Sequence, residues 1–167
     1  MKTNKVITRK ANLNDIEIIL TIAYSTWPIA YSNILSKEQL DYMLTQFYSI
    51  HSLQNQFEKE HIFLIAENAK NPVGFASYSN LDNPSIYKLH KLYVLPDAHN
   101  KGIGKTLLNE VIHQIKLRNG KSLILNVNRN NIAKDFYLHM GFEVTDIDDI
   151  DIGNGFYMND FIMTKKL

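Results

Sequence analysis

The sequence predicts a mixed α/β (α+β) fold, a central sheet of about seven strands with about four helices in the order β-α-α-β-β-β-α-β-α-β-β. Three observations predict it. Apolar residues switch between helical spacing and short β-rich runs along the chain. A continuous apolar run, Ser122 to Val127, lies between two helical patterns, as a central strand would. Asn71-Pro72 and Gly153-Asn154-Gly155 punctuate neighbouring β-rich runs as turns do. The 167 residues suit a single domain, 1–167, with no repeat, linker or low-complexity segment.

Val6 to Arg9 reads as a first strand. Asn12 then acts as an N-cap, with Asp15 in the first turn. Leu13, Ile16, Leu20, Ala23 and Trp27 recur at helical spacing, and Pro28 ends or bends that helix. A second helix starts in capping-box style at Ser36 with Gln39 and runs to about Tyr48. His61 to Glu67 and Val73 to Ser79 form an antiparallel hairpin across Asn71-Pro72. Tyr87 to Leu95 is a strand stopped by Pro96. Ile103, Leu107, Leu108, Val111, Ile112 and Ile115 stripe the next helix, which Asn119-Gly120 closes. After the strand Ser122 to Val127, Asn131 to Met140 is a short helix closed by Gly141. Phe142 to Ile147 and Phe156 to Thr164 are the last strands. Asp146, Asp148, Asp149 and Asp151 form the one biased stretch, read either as a solvated loop or as a field that draws a cationic amine.

Composition removes several classes. A domain this size buries roughly 70% of its unfolded surface, so it needs no disulfide or metal to fold. There is no cysteine, which excludes disulfides, thiolate zinc sites and a cysteine nucleophile; no metal is expected. That composition suits the cytoplasm. The net charge of +1, from 18 basic and 17 acidic residues, argues against nucleic acid as a partner. Met1 to Ala11 lacks the apolar core of a secretory signal, and no apolar run approaches the ~20 residues of a membrane span.

The most informative stretch is Leu92-Tyr93-Val94-Leu95-Pro96-Asp97-Ala98-His99-Asn100-Lys101-Gly102-Ile103-Gly104-Lys105. A strand runs into a glycine-containing turn that opens an amphipathic helix. The first turn of a helix has unpaired N–H groups and a positive dipole end, and glycine lets a phosphate come close. Two better-known phosphate loops fail. A Walker A loop needs glycine where this chain has His99, and a dinucleotide fingerprint needs its third glycine at Leu107. The bland alternative is an ordinary strand-turn-helix.

A second motif follows the apolar strand: Asn130-Asn131-Ile132-Ala133-Lys134-Asp135-Phe136-Tyr137-Leu138-His139-Met140-Gly141-Phe142. Together the two stretches resemble the GNAT superfamily of N-acetyltransferases. Its loop is usually Gln/Arg-x-x-Gly-x-Gly/Ala, which His99 to Gly104 fits except at the first position. Its next helix is usually Asn-x-x-Ala-x-x-x-Tyr-x-x-x-Gly-Phe, which Asn130, Ala133, Tyr137, Gly141 and Phe142 fit throughout. Element order matches as well, so the resemblance spans essentially the whole chain. Within the superfamily the chain is most similar to PaiA-like polyamine acetyltransferases, through Lys91 to Leu95, the aromatic first helix with Trp27 and Tyr31, and the ending Asn159 to Lys166.

The resemblance implies a GNAT-like sheet whose strands Tyr87–Leu95 and Ser122–Val127 splay apart, with acetyl-CoA as cosubstrate in the gap. Backbone groups of Leu92 and Val94, flanking Tyr93, would pair with pantetheine. The backbone of Asn100, Lys101, Gly102, Ile103, Gly104 and Lys105 would hold pyrophosphate, and Asn130 the cofactor arm. His99 stands where the family usually has its side-chain phosphate ligand, so the loop would hold the phosphates mainly through its backbone. Tyr137 would protonate the departing thiolate as general acid; its alternative is core packing beside Phe136.

Acetyl transfer also needs a neutral amine, and an alkylamine of pKa about 10.4 is neutral in roughly one molecule per thousand at pH 7. His90, with an ordinary pKa of about 6.5, is a candidate base or else a satisfied core histidine. Glu67 is a weaker candidate. Tyr31, Trp27 and Tyr24 are read either as acceptor-pocket walls or, for Trp27 above all, as core. The expected reaction is direct transfer from acetyl-CoA to a primary amine. The alternative on the same fold is a non-catalytic acyl-CoA-binding regulatory module. A small-molecule amine is the expected partner, and a homodimer is compatible with the sequence.

Overall fold

The computed structural model describes residues 5–167, so the first residues of the stretch read as lacking a secretory signal lie outside it. The elements are β1 (Ile7–Lys10), α1 (Ile16–Tyr31), α2 (Lys37–Phe47), α3 (Ile50–Glu58), β2 (Ile62–Asn68), β3 (Asn71–Asn80), β4 (Ile86–Val94), α4 (Ile103–Leu117), β5 (Ser122–Asn128), α5 (Ala133–His139), β6 (Glu143–Gly153) and β7 (Phe156–Lys166). The strands form one 7-stranded sheet in the order β1-β2-β3-β4-β5-β7-β6. Among the described residues only the β4–β5 pair is parallel. Among the described residues, no helix is long and apolar enough to cross a membrane.

One apolar layer packs α4 and Tyr137 of α5 against the sheet through Tyr78, Tyr87, Leu89, Leu123, Leu125 and Val127. The other packs α1, α2 and α3 against Phe63, Ile65 and Phe75. Strand alternation sends successive side chains to these two layers. The first strand is anchored by Arg9, whose guanidinium forks onto Asp15 at 2.8 and 3.0 Å and also reaches Glu67 at 2.8 Å. Asp15 closes the predicted cap as well, accepting from the Asn12 N–H at 2.9 Å.

Several expectations are corrected. There are five α-helices among the described residues, not four, because α3 follows α2 directly. Ser49 caps it, accepting from the Ser52 N–H at 3.0 Å, while Leu53 is fully buried and Phe57 stacks on Phe63. No glutamate or glutamine completes a capping box there, and the short helix shows little period. Pro28 does not end α1, which continues to Tyr31. The proline lies on the exposed side, where the carbonyl it frees is not shut away from solvent by the core.

Leu13 is exposed; the buried stripe of α1 runs through Ile16, Ile19, Ile22, Ala23, Thr26 and Trp27. The β2–β3 turn is Ala69-Lys70, both at positive φ, and Asn71-Pro72 already belong to β3 beside a register shift. The aspartate run is not a loop. It forms the body of β6, which pairs with β7 as far as Gly153 and turns back at Asn154-Gly155, both at positive φ.

Candidate active site

The loop after β4 is shaped by two left-handed residues, Asn100 at φ 62° and Gly102 at φ 72°. Asparagine and glycine are the residues that tolerate that conformation. As a result the backbone N–H groups from Asn100 through Lys105 bond to no other described residue. Thr106 is the first to close on the helix, donating to the Gly102 carbonyl at 2.9 Å. A row of free donors at the positive end of α4 is a geometry suited to an anion. The His99 ring is turned away from it, with Nε2 2.7 Å from the Val94 carbonyl.

The strand leading into this loop has one open edge. β4 pairs with β5 only from Ile86–Ser122 to Leu89–Leu125, and beyond that the two strands part. On its other side β4 stays paired with β3, and the Leu95 N–H donates to Val73 at 2.8 Å. In an antiparallel ladder alternate residues face the partner. Tyr93 and Lys91 therefore bond to β3, while the Leu92 N–H and C=O and the Val94 N–H turn into the gap, the Val94 carbonyl being held by His99 Nε2.

A bulge opposite Ser77 and Tyr78 changes the phase of β4 at His90. Before it, Tyr87 and Leu89 face the α4 layer; after it, Leu92 and Val94 do. Lys88, His90, Lys91 and Tyr93 all line a cavity of about 540 Å³ on the opposite side of the sheet. Its walls include Trp27 and Tyr31 from α1, Tyr48 after α2, Asn126 and Asn128 from β5, Asp151 from β6 and Asp160 from β7. The aromatic wall is continuous. Trp27 lies 4.7 Å from Tyr31, 5.4 Å from Tyr48 and 5.8 Å from Tyr93, and the Tyr31 and Tyr93 hydroxyls are 3.1 Å apart.

Trp27 is thus both core and cavity wall. Tyr31 joins it there, but Tyr24 is half exposed and does not line the cavity. Asn130 is exposed at the mouth of α5, its N–H held by the Asn128 side chain at 2.9 Å.

The electrostatics of the cavity separate its titratable groups. His90 stacks on His61 at 4.2 Å and lies 2.7 Å from the Ser79 hydroxyl. Burial, then the neighbouring His61 and Lys91, pushes its pKa down to about 3, so the ring stays neutral and accepts protons poorly. Burial lowers Lys91 to about 8, with its ammonium 5.3 Å above the Tyr48 ring. Tyr137, buried between Phe136 and Phe142, has its pKa raised by burial, so its phenol keeps its proton. Glu67 is held by Arg9 at the β1–β2 edge and does not line the cavity. Lys91 and Asp160 were visible in the sequence only as parts of a family signature; burial beside the cavity is what sets them apart.

Residues 32–165 match the family model described as "Acetyltransferase (GNAT) domain". The chain is 30% identical over 164 residues, 95% of each chain, to a spermidine N(1)-acetyltransferase of Thermoplasma acidophilum. Its structure resembles the PaiA N-acetyltransferase of Thermoplasma acidophilum in complex with coenzyme A. That likeness has a TM-score of 0.82 and 28% identity, and covers 98% of this chain and 99% of the other. A GNAT-related structure from Rhodopseudomonas palustris shares the fold at a TM-score of 0.83 and 23% identity, covering 100% of this chain and 99% of that one.

Proposed function

The chain belongs to the GNAT acetyltransferase family and is an acetyl-CoA-dependent N-acetyltransferase, and from this premise we propose that it acetylates a polyamine by direct transfer in the cytoplasm, as one domain. One observation carries the reading. The free N–H loop, the open edge of β4 and the cavity holding Asp151 and Asp160 follow one another along β4 and its flanks. The similarity to a spermidine acetyltransferase over nearly the whole chain supports the same acceptor class.

In this reading the N–H groups from Asn100 through Lys105 bind the pyrophosphate, and the gap-facing groups of Leu92 and Val94 pair with pantetheine as an added strand does. Asn130 binds the cofactor arm. A gap-facing N–H around Val94 stabilises the tetrahedral oxyanion. The neutral amine attacks the thioester carbonyl, the C–N bond forms, and the C–S bond breaks as Tyr137 gives its proton to the sulfur. Tyr31 and Trp27 wall the acceptor.

His90 is too weak a base to take the amine's proton, and Lys91 in its neutral form takes that part. Because burial disfavours its charge, Lys91 is deprotonated above about pH 8 rather than above 10. With acceptor below saturation, kcat/KM is expected to rise with pH through about 8 and then level. Lys91→Met should remove that inflection and leave a rise that follows the acceptor's own ionisation near 10. An unchanged pH profile in the variant would take Lys91 out of the proton path.

The acceptor itself is tested by thiol release from acetyl-CoA with spermidine and with hexylamine, whose tail is uncharged. Spermidine should be preferred in kcat/KM, and the preference should shrink as salt rises, because the attraction is partly electrostatic. Equal kcat/KM for both amines would remove the polyamine from the reading while leaving acetyl transfer in place.

A further inference from the structure

One group in the cavity lacks what a buried charge needs. Asp160 is 4% exposed, and its Oδ1 makes no hydrogen bond. Its Oδ2 accepts only a long bond, 3.4 Å, from the Asn126 amide. Directly across the β6–β7 ladder stands Asp148, and residues opposed in this way share a face. Two carboxylates so placed repel one another, and leaving one of them buried without a cation is costly.

The surrounding cations do not neutralise the pair. Arg129 is bonded to Asp149, and Lys88, on β4, lies beyond ion-pair distance of either carboxylate. Among the described residues, neither Asp148 nor Asp160 has a salt-bridge partner. Burial raises the Asp160 pKa above the ordinary carboxylate value and Asp148 adds to it, against the Asn126 bond and the more distant charges of Lys88 and Arg129. A buried, underbonded carboxyl on the wall of a ligand cavity calls for an explanation, and a cationic ligand supplies one.

We propose that Asp160, with Asp148 behind it, is the subsite that binds a second, protonated nitrogen of the acceptor, remote from the amine that is acetylated. The acceptor class is then a diamine or polyamine, not an amino acid or a simple monoamine. This rests on the polyamine reading above and adds the residue that enforces it. The division of labour is physical. The nitrogen that reacts must be neutral, on the side of the cavity where neutral Lys91 takes its proton. The nitrogen that anchors must be charged, where Asp160 lacks a partner. Asp149, also in the aspartate run, is spent on Arg129 and has no such role.

The test compares wild type, Asp160→Asn and Asp148→Asn with spermidine and hexylamine as acceptors, together with melting of each protein with and without spermidine. Asp160→Asn keeps the shape and removes the charge. The spermidine-over-hexylamine ratio in kcat/KM should fall about tenfold or more, through KM for spermidine, as expected for loss of a charged hydrogen bond. The melting shift given by spermidine should vanish. The ligand-free variant should melt no lower than wild type, since an unpaired buried charge has been removed. A ratio that survives in Asp160→Asn overturns the subsite. An equal fall for both amines with a lowered melting temperature also overturns it, by making Asp160 structural. Should Asp160→Asn fail to fold, the same ratio in Asp148→Asn decides, with a smaller fall expected and an unchanged ratio counting against the pair. Absence of any spermidine preference in wild type is a different result: it removes the polyamine reading, and the subsite with it.

Discussion

Gly104→Glu is expected to abolish acetyl-CoA binding while leaving the fold intact. Gly104 is in the first turn of α4, among the backbone N–H groups that have no partner. A Cβ built there meets Phe136 at 3.7 Å and Val94 at 3.9 Å, ordinary contact distances, so a side chain can start from this position without displacing the backbone. A carboxylate in the first turn of a helix is also favourable for the helix itself. The ligand-free variant should therefore melt close to wild type.

What the glutamate does is place bulk and negative charge at the proposed pyrophosphate site. For wild type, acetyl-CoA at about 100 times its dissociation constant stabilises the native state by roughly 2.7 kcal/mol, about 5–10 °C in Tm for a chain of this size. The variant should show no shift, and Gly104→Ala should keep most of it. Calorimetry or a dye-based melt with millimolar acetyl-CoA reads both. A normal shift in Gly104→Glu would move the phosphate site elsewhere.

Tyr137→Phe is expected to lower kcat by about 10²-fold or more, the range for loss of a general acid. Its ring packs edge-on between Phe136 at 5.2 Å and Phe142 at 5.7 Å, and phenylalanine keeps both contacts. Acetyl-CoA affinity should be nearly constant, because the hydroxyl matters chiefly in the transition state. Burial raises the phenol's pKa, so it is protonated across the working range. The pH profile should accordingly show no falling limb from this group below its ordinary value of about 10. A cysteine-like thiol has a pKa near 8.5, so the CoA thiolate leaves fairly well and water can substitute in part, which bounds the loss from above. Steady-state turnover and acetyl-CoA titration on the same variant separate the cases. Near wild-type kcat removes Tyr137 from the mechanism; weakened affinity at unchanged kcat makes it a binding residue.

Much of the site was legible in the chain because it is local. The anion loop needs a strand, left-handed residues and a helix start, all within the stretch from Leu92 to Lys105. Asn130, Ala133, Tyr137 and Gly141 lie on one short helix and its two flanks. The cap at Asn12 and the stripe of α4 are likewise written in neighbouring residues. Helix α3 escaped because only Leu53 is buried in it, too little to print a period.

Amino-acid order by itself determined the α/β class, the strand-turn-helix loop with its glycines and the place of Tyr137 on a short helix, since hydrogen bonding and side-chain period act over a few residues. Tertiary structure alone decided which charges meet in the cavity. Strand order brings β7 beside β5, so Asp160 faces Asn128 across a gap of many residues in the chain. The bulge at His90 turns Lys91 and Tyr93 onto the same face as Lys88, which simple alternation would have put on the opposite side. Burial then lowers the pKa values of His90 and Lys91 and raises that of Asp160. Desolvation depends on everything packed around a group, so it is a property of the folded molecule and not of any stretch of its sequence.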